Sequence, residues 1–243
     1  METLQGDADV AAVAAVLGDR TRAGFVTLLL SRCTLTAGEL AQLSGVSPSA
    51  ASQHLRKLME AGLLTSEWKG RQRWYRLASA EVAEAVEALS RIAPLAPVRS
   101  MREATTAAKL RYARSCYDHL AGRIGVALTA LLQEHGFLID DQGWRVSPEG
   151  IAWFKAGGID VETLRRGRRP LLLPCLDWSE RIPHLAGALG QALLERLLAC
   201  GWVREGPVRR AVVLHADAAV PPAWRPLLEE ALTRANAPDP AAD

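Results

Sequence analysis

The sequence predicts a mainly helical α+β fold in which small β-hairpins alternate with helices, and three observations lead there. Apolar residues recur at helical spacing over much of the 243-residue chain. Helix start and stop residues bracket several of these stretches: in "SPSAASQHLRKLMEAG", Ser47 and Pro48 open a helix and Gly62 closes it. Short apolar and aromatic runs around a polar turn then follow, as in "LLTSEWKGRQRWYRLAS".

Taken in order, "DADVAAVAAVLGD" and "TRAGFVTLLLSRC" read as two helices separated by a polar break. "TAGELAQLSGV" is a short helix with Thr36 as N-cap, Glu39 three residues on at capping-box spacing, and Gly45 at its end. With the Ser47–Gly62 helix it forms two helices joined by a tight glycine turn, a helix-turn-helix. The hairpin around "KGRQR" gives this motif a wing with a cationic tip, "AEVAEAVEALSRIA" adds an amphipathic helix, and "PLAPVRS", with two prolines, is the linker.

Composition sets outer bounds. With 49% hydrophobic and 23% charged residues and a net charge of +2, the chain neither demands nor excludes a nucleic-acid partner, so any basic surface is local. No stretch approaches the roughly 18 uninterrupted apolar residues of a membrane span. "METLQGDADV" lacks the basic start and apolar run of a signal peptide, so a cytoplasmic protein without a membrane partner is expected. Cys33, Cys116, Cys175 and Cys200 include no C-x-x-C pair, which argues against a disulfide framework or a zinc ribbon. Cys33 follows "TLLLSR" and reads as a buried core thiol.

In the helix opening at Pro48, Ala51, Leu55 and Leu58 fall on one face. Ser47 caps the helix, and Ser49, Ser52, Gln53, His54 and Arg56 are left for the outer face. Short hydroxyls suit close approach to phosphates, and Gln and Arg can bond bidentately to adenine and guanine edges. In the wing, Lys69, Arg71 and Arg73 alternate along the chain and are expected to share a face that tracks a nucleic-acid backbone.

The segments "LGDRTR", "LTAGELAQLSGVSPSAASQHLRKLMEAGLL" and "RQRWYRL", in that order over roughly residues 8–93, resemble the ArsR/SmtB family of winged-helix transcriptional repressors. The resemblance implies a homodimer on an inverted-repeat operator in double-stranded DNA, released when an effector binds, with no cofactor needed for DNA binding itself. It also implies metal sensing through cysteines on the helix before the recognition helix, or through Asp, His or Glu on the last helix. Here "TAGELAQLSG" has no cysteine and "AEVAEAVEALSRIA" has no histidine, so both sites are missing.

The remaining residues carry an internal repeat. "HLAGRIGVALTALLQEHGFL" (119–138) aligns with "HLAGALGQALLERLLACGWV" (184–203) with nine of twenty positions identical. Residues 101–136 read as helical with a junction near Gly122–Gly125, followed by a hairpin in "FLIDDQGWRV" and a helix from Ser147-Pro148-Glu149. The second copy repeats helix and hairpin through "WVREGPVRRAVVLHADA". Two degenerate winged-helix-like units are expected, packed about a pseudo-two-fold axis with Gly122, Gly125, Gly187 and Gly190 at a close helix crossing, because glycine inside a helix costs about 1 kcal/mol against alanine. The domain reading is therefore residues 1–95 for DNA binding and dimerisation, 96–235 for an effector or sensor domain, and 236–243 for a flexible tail.

Polar residues precede each copy: Cys116, Asp118 and His119 in the first, Cys175, Asp177 and His184 in the second. Cys116 and His119 are expected on one helix face, and Cys175 on a loop ahead of a helix beginning near His184. Three readings stay open. The Asp and His residues cap helices over buried thiols; or thiolate and imidazole bind a soft metal or metalloid such as zinc, cadmium or arsenite; or the cluster is a thiol sensor or small-molecule pocket walled by Trp153 and Trp178. The run "LRRGRR" reads as a solvated loop or a second phosphate contact. No P-loop, G-x-S-x-G or H-E-x-x-H is found, so a regulator is expected, the rival being an enzyme or ligand-binding protein with an accessory winged helix.

Overall fold

The computed structural model describes residues 7–30, 34–95 and 97–238. Cys33 and the end of the tail lie outside the described residues. The chain divides into two compact units, Met1–Ile92 and Ala93–Asp243.

The first unit runs α1 (Val10–Leu17), α2 (Arg20–Leu29), β1 (Leu35–Thr36), α3 (Ala37–Ser44), α4 (Pro48–Glu60), β2 (Leu64–Lys69), β3 (Gln72–Leu77) and α5 (Ala80–Ile92). Local chemistry sets the boundaries. Asp19 accepts from the Arg22 amide at the start of α2. Thr36 and Glu39 form the reciprocal capping box of α3, and Ser47 accepts from the Ala50 amide, with Pro48 in the first turn of α4. Phe25, Leu29, Leu40, Leu55, Leu58, Tyr75 and Leu77 fill the core. Strand β1, absent from the sequence reading because it is only two residues long, pairs Leu35 with Tyr75 and extends the wing to three antiparallel strands in the order β1-β3-β2.

The second unit opens with α6 (Met101–Tyr112) and then presents the same order of elements twice: hairpin, helix, hairpin, helix. The first pass is β4 (Arg114–Cys116), β5 (His119–Ala121), α7 (Arg123–Glu134), β6 (Leu138–Asp140), β7 (Trp144–Val146) and α8 (Pro148–Ala156), followed by the short α9 (Val161–Arg165). The second is β8 (Leu173–Leu176), β9 (Pro183–Ala186), α10 (Gly187–Ala199), β10 (Val203–Glu205), β11 (Val212–Leu214) and α11 (Arg225–Asn236).

This corrects the expectation of helix over 101–136 interrupted only by a junction near Gly122–Gly125, and of a helix starting near His184. In both copies "HLA" is a strand, and the helix starts after it. The reason is burial on both faces: His119, Leu120 and Ala121 are all buried, as are His184, Leu185 and Ala186. A strand covered on both sides loses its alternation, so its apolar run cannot be told from helix by period.

The glycines are corrected in the same way. Gly122 and Gly187 are not helix-interior residues; they turn the chain from strand to helix at φ 79° and 80°, a region other residues rarely enter. Gly125 and Gly190 do lie in helices, where a Cβ would stand 2.5 Å from the carbonyl oxygens of Leu120 and Leu185. The same added Cβ at Gly190 would come 3.2 Å from His119 Cβ, and at Gly125 3.9 Å from His184 Cβ. Each helix thus gives room to the other copy's histidine.

One apolar core serves both copies. At its end Trp153 stacks on Phe137 at 5.3 Å and on Trp224 at 4.9 Å. Trp153 Nε1 donates to the Ala223 carbonyl and Trp224 Nε1 to that of Trp153, both at 3.0 Å. Trp153 is therefore a core residue and not the pocket wall expected of it. Among the described residues no helix is long and apolar enough to cross a membrane.

Candidate functional site

Two arrangements of polar side chains stand apart from the cores, one in each unit. In the first, α4 buries Ala51, Leu55 and Leu58 and leaves Ser49, Ser52, Gln53 and Arg56 exposed. Ser47 is held at the helix start, 3.1 Å from Ser49 Oγ, and Arg56 faces Glu60 at 3.7 Å.

His54 does not share this outer face. Its ring meets Phe25 edge-on at 6.2 Å, and its Nδ1 lies 3.6 Å from Asp19 Oδ1, so it ties α4 to the start of α2. The periodicity left it at the border of the two faces, and the neighbouring carboxylate draws it inward.

The wing is also corrected. Lys69 pairs with Gln72, and Trp68 with Arg73, across the hairpin. Cross-strand partners share a face and successive residues alternate, so Lys69 and Arg73 point to opposite sides, while Arg71 sits in the turn. Arg73 leans back on α4: its Nε donates to Ser66 Oγ at 2.8 Å, and its guanidinium lies over Tyr75 and 3.4 Å from Met59 Sδ. Lys69 pairs with Glu67 at 2.8 Å, an exposed contact open to exchange with other anions.

The second arrangement joins the two copies of the repeat. Cys116 and His119 are cross-strand partners in β4 and β5, and Cys175 and His184 hold the same relation in β8 and β9. This replaces the expected helix face and loop. The six-residue insertion adds one cross-strand pair, Leu176 with Pro183, and lengthens the loop of the second hairpin, so the cysteine–histidine register survives it.

The two hairpins meet with Cys116 Sγ 3.9 Å from Cys175 Sγ and His119 Nε2 3.1 Å from His184 Nε2. One donor atom from each of these four residues lies within 4.8 Å of all the others. Cys116, His119 and His184 are buried, and Cys175 is partly so.

Neither aspartate caps its own helix; each stands behind its histidine. Asp118 Oδ1 lies 3.4 Å from His119 Nδ1, and Asp177 Oδ2 the same distance from His184 Nδ1. Each aspartate in turn holds an arginine. Arg114 Nη2 donates to Asp177 at 2.7 Å, both side chains being fully buried, and stacks on Trp178 at 4.3 Å. Arg169 bonds to Asp118 and, at 2.7 Å, to Gln191. Arg169 is thus part of the cluster, not the solvated loop residue that "LRRGRR" suggested.

Burial opposes charge on both carboxyls. The imidazole and guanidinium bonds overcome it at Asp118, and Arg114 holds Asp177 far below the ordinary carboxylate range. The Cys116 thiol beside Cys175, helped by the two imidazoles, pulls the Cys175 thiol well below its usual value against burial. Burial also opposes both imidazolium forms. Bonds to Asp118 and Cys175 outweigh it at His119, which is raised, whereas burial and the neighbouring His119 lower His184. The arrangement presents thiolate and imidazole donors to one point inside the protein.

A family described as a helix-turn-helix domain matches residues 17–67. Over 205 residues the chain is 43% identical to the uncharacterized HTH-type transcriptional regulator YdfF of Bacillus subtilis (strain 168), an alignment covering 84% of this chain and 91% of the relative. That alignment is longer than the first unit, so it extends into the second. Among solved structures, the transcriptional repressor BigR from Xylella fastidiosa is 32% identical over 35% of this chain and 82% of its own, with a TM-score of 0.32. Reduced HlyU from Vibrio cholerae N16961 is 28% identical over 35% of this chain and 88% of its own, also with a TM-score of 0.32.

Proposed function

Given that the chain belongs to the HTH-type transcriptional regulators, we propose that it is a repressor of the ArsR/SmtB type: a homodimer that binds an inverted-repeat operator through α4 and the wing and is released by an effector in the second unit. The observation that carries the DNA reading is the division of α4 into a buried apolar face and an exposed face of Ser49, Ser52, Gln53 and Arg56. Gln53 and Arg56 supply bidentate groups for base edges, and Ser47, Ser49 and Ser52 line the helix start for phosphates. Lys69 and Arg71 at the wing tip add phosphate contacts, and Arg73 braces the wing on α4.

One recognition helix covers a half-site, so two-fold operators call for two chains. The composition of α1 supports this. "VAAVAAVL" is apolar throughout, yet none of its side chains is buried among the described residues, and Leu89 and Ile92 of α5 are exposed as well. A second copy is the natural cover for such surfaces.

The test is binding to duplex DNA selected from a random library, read by fluorescence anisotropy. Arg56→Ala should lose about 1–3 kcal/mol of discrimination between selected and random DNA, whereas Lys69→Ala should weaken both alike and lower the salt slope by about 1. Wild-type binding by both variants, or failure of the selection to enrich any site, would overturn the reading.

A further inference from the structure

We infer that Cys116, His119, Cys175 and His184 form a tetrahedral site for one divalent d10 cation of the zinc and cadmium class. This rests on the reading of the second unit as the effector unit and names the effector's chemistry.

The sulfur–sulfur and nitrogen–nitrogen distances match such an ion, in a cluster whose four donor atoms lie within 4.8 Å of one another. Bonds of about 2.3 Å to sulfur and about 2.0–2.1 Å to nitrogen, set at tetrahedral angles, separate two sulfurs by about 3.8 Å and two nitrogens by about 3.3 Å. The observed separations are 3.9 Å and 3.1 Å.

The orientation of the histidines fits as well. Both turn Nδ1 toward an aspartate and Nε2 toward each other. If each Nδ1 carries its proton, the two Nε2 lone pairs confront one another at 3.1 Å, and only a shared proton or a cation between them relieves the repulsion. The Asp118 carboxylate bonded behind His119 is the arrangement that fixes a ligating histidine's tautomer and raises its basicity, and Asp177 stands 3.4 Å from His184 Nδ1 in the corresponding place.

Charge balance points the same way. Asp118 with Arg169 and Asp177 with Arg114 are neutral pairs. In the ligating form, two thiolates and two neutral imidazoles would together carry −2, and one divalent cation cancels it. A disulfide would use the two sulfurs but leave the facing imidazoles and their carboxylates without a role. An arsenite-type ligand prefers three sulfurs, and Cys200, which bonds to the Leu197 carbonyl within α10, is not in the cluster. The ion would draw one cysteine and one histidine from each copy of the repeat, so loading it ties the two copies together.

The experiment uses the full chain, reduced and stripped with a chelator, then titrated with zinc or cobalt(II). One equivalent per chain is expected, and cobalt should give the intense ligand-field bands of a tetrahedral site with thiolate charge transfer. Cys116→Ser with Cys175→Ser should abolish stoichiometric binding, Asp118→Asn should weaken it about 10- to 100-fold, and Cys200→Ser should leave it unchanged. Binding well below one equivalent, a weak octahedral cobalt spectrum, or normal binding by the double cysteine variant would overturn the inference, and so would a Cys116–Cys175 disulfide that forms in preference to loading. The wild-type stoichiometry and spectrum do not depend on any variant folding. DNA binding by the stripped chain is scored separately: intact DNA binding without metal uptake sinks this inference alone, and metal uptake without DNA binding sinks the regulator reading alone.

Discussion

Replacing Asp177 by asparagine removes one charge from a side chain with five hydrogen bonds. Its carboxylate accepts from Arg114 Nη2 and the Gly122 amide, both at 2.7 Å, from the Ser179 amide and hydroxyl at 2.9 and 2.8 Å, and from the Glu180 amide at 3.2 Å. Asparagine keeps the shape but turns one acceptor into a donor facing donors, and it leaves Arg114 charged with neither side chain reached by solvent. Breaking a buried pair costs about 3–5 kcal/mol. The contact between Arg114 and the Trp178 ring exists before and after the substitution and offsets none of that, so a loss of about 3–5 kcal/mol is expected. Five of the seven tryptophans lie in the second unit, so urea unfolding of the metal-free chain followed by tryptophan fluorescence reports on it. With a slope of about 1–3 kcal/mol/M, the midpoint should fall by about 1 M or more.

The pH dependence carries a definite sign. Asp177 is depressed in the folded state, so its contribution is complete above the unfolded carboxyl value of about 3.9 and is lost as pH falls from there toward the lower folded value. The variant should lack that part of the acid dependence. A loss under about 1 kcal/mol, or an unchanged acid profile, would refute the view that this carboxylate holds Arg114 and the first turn of α7 in place.

Other substitutions probe separate points. Gly157→Ala would put its Cβ 1.9 Å from the Trp224 ring, so the second unit should lose at least about 1–3 kcal/mol in the same urea assay. Val10→Asp combined with Val13→Asp should turn a dimer into a monomer in sedimentation without loss of helix content, since both side chains are exposed in the single chain. His54→Ala should change DNA discrimination less than about twofold and stability by about 1 kcal/mol or less, because the ring faces Asp19 and Phe25 and its contact with Asp19 is partly exposed. Loss of DNA specificity in that variant would restore His54 to the outer face.

The first unit was legible because its signals are local. The capping box at Thr36 and Glu39, Ser47-Pro48 at the start of α4, and the polar turn of the wing each fix a boundary within a few residues. The buried face of α4 followed from its 3.6-residue period. What the sequence hid was orientation. Arg73 and Lys69 look alike along the chain, but the register of the hairpin, set by the turn at Gly70 and Arg71, sends them to opposite faces.

In the second unit the repeat itself points to Cys116, Asp118, His119, Cys175, Asp177 and His184, yet it hides the strands that carry them. Short strands buried on both sides carry no alternation, and Tyr117 takes a positive φ that its residue type does not announce. The role of Arg114 and Arg169 could be found only in three dimensions, since their partners lie 63 and 51 residues away.

If the cysteine–histidine cluster is the effector site, its loading sets operator affinity. This is tested most directly by measuring the affinity of the full chain for its selected operator, stripped and with one equivalent of zinc, in the same buffer and salt. A ligand shifts this equilibrium only through its differential affinity for the two states. Zinc is expected to weaken operator binding by about 5- to 150-fold in the wild type, and not at all in the Cys116→Ser, Cys175→Ser variant. Equal operator affinities for the stripped and fully loaded wild-type protein would contradict this.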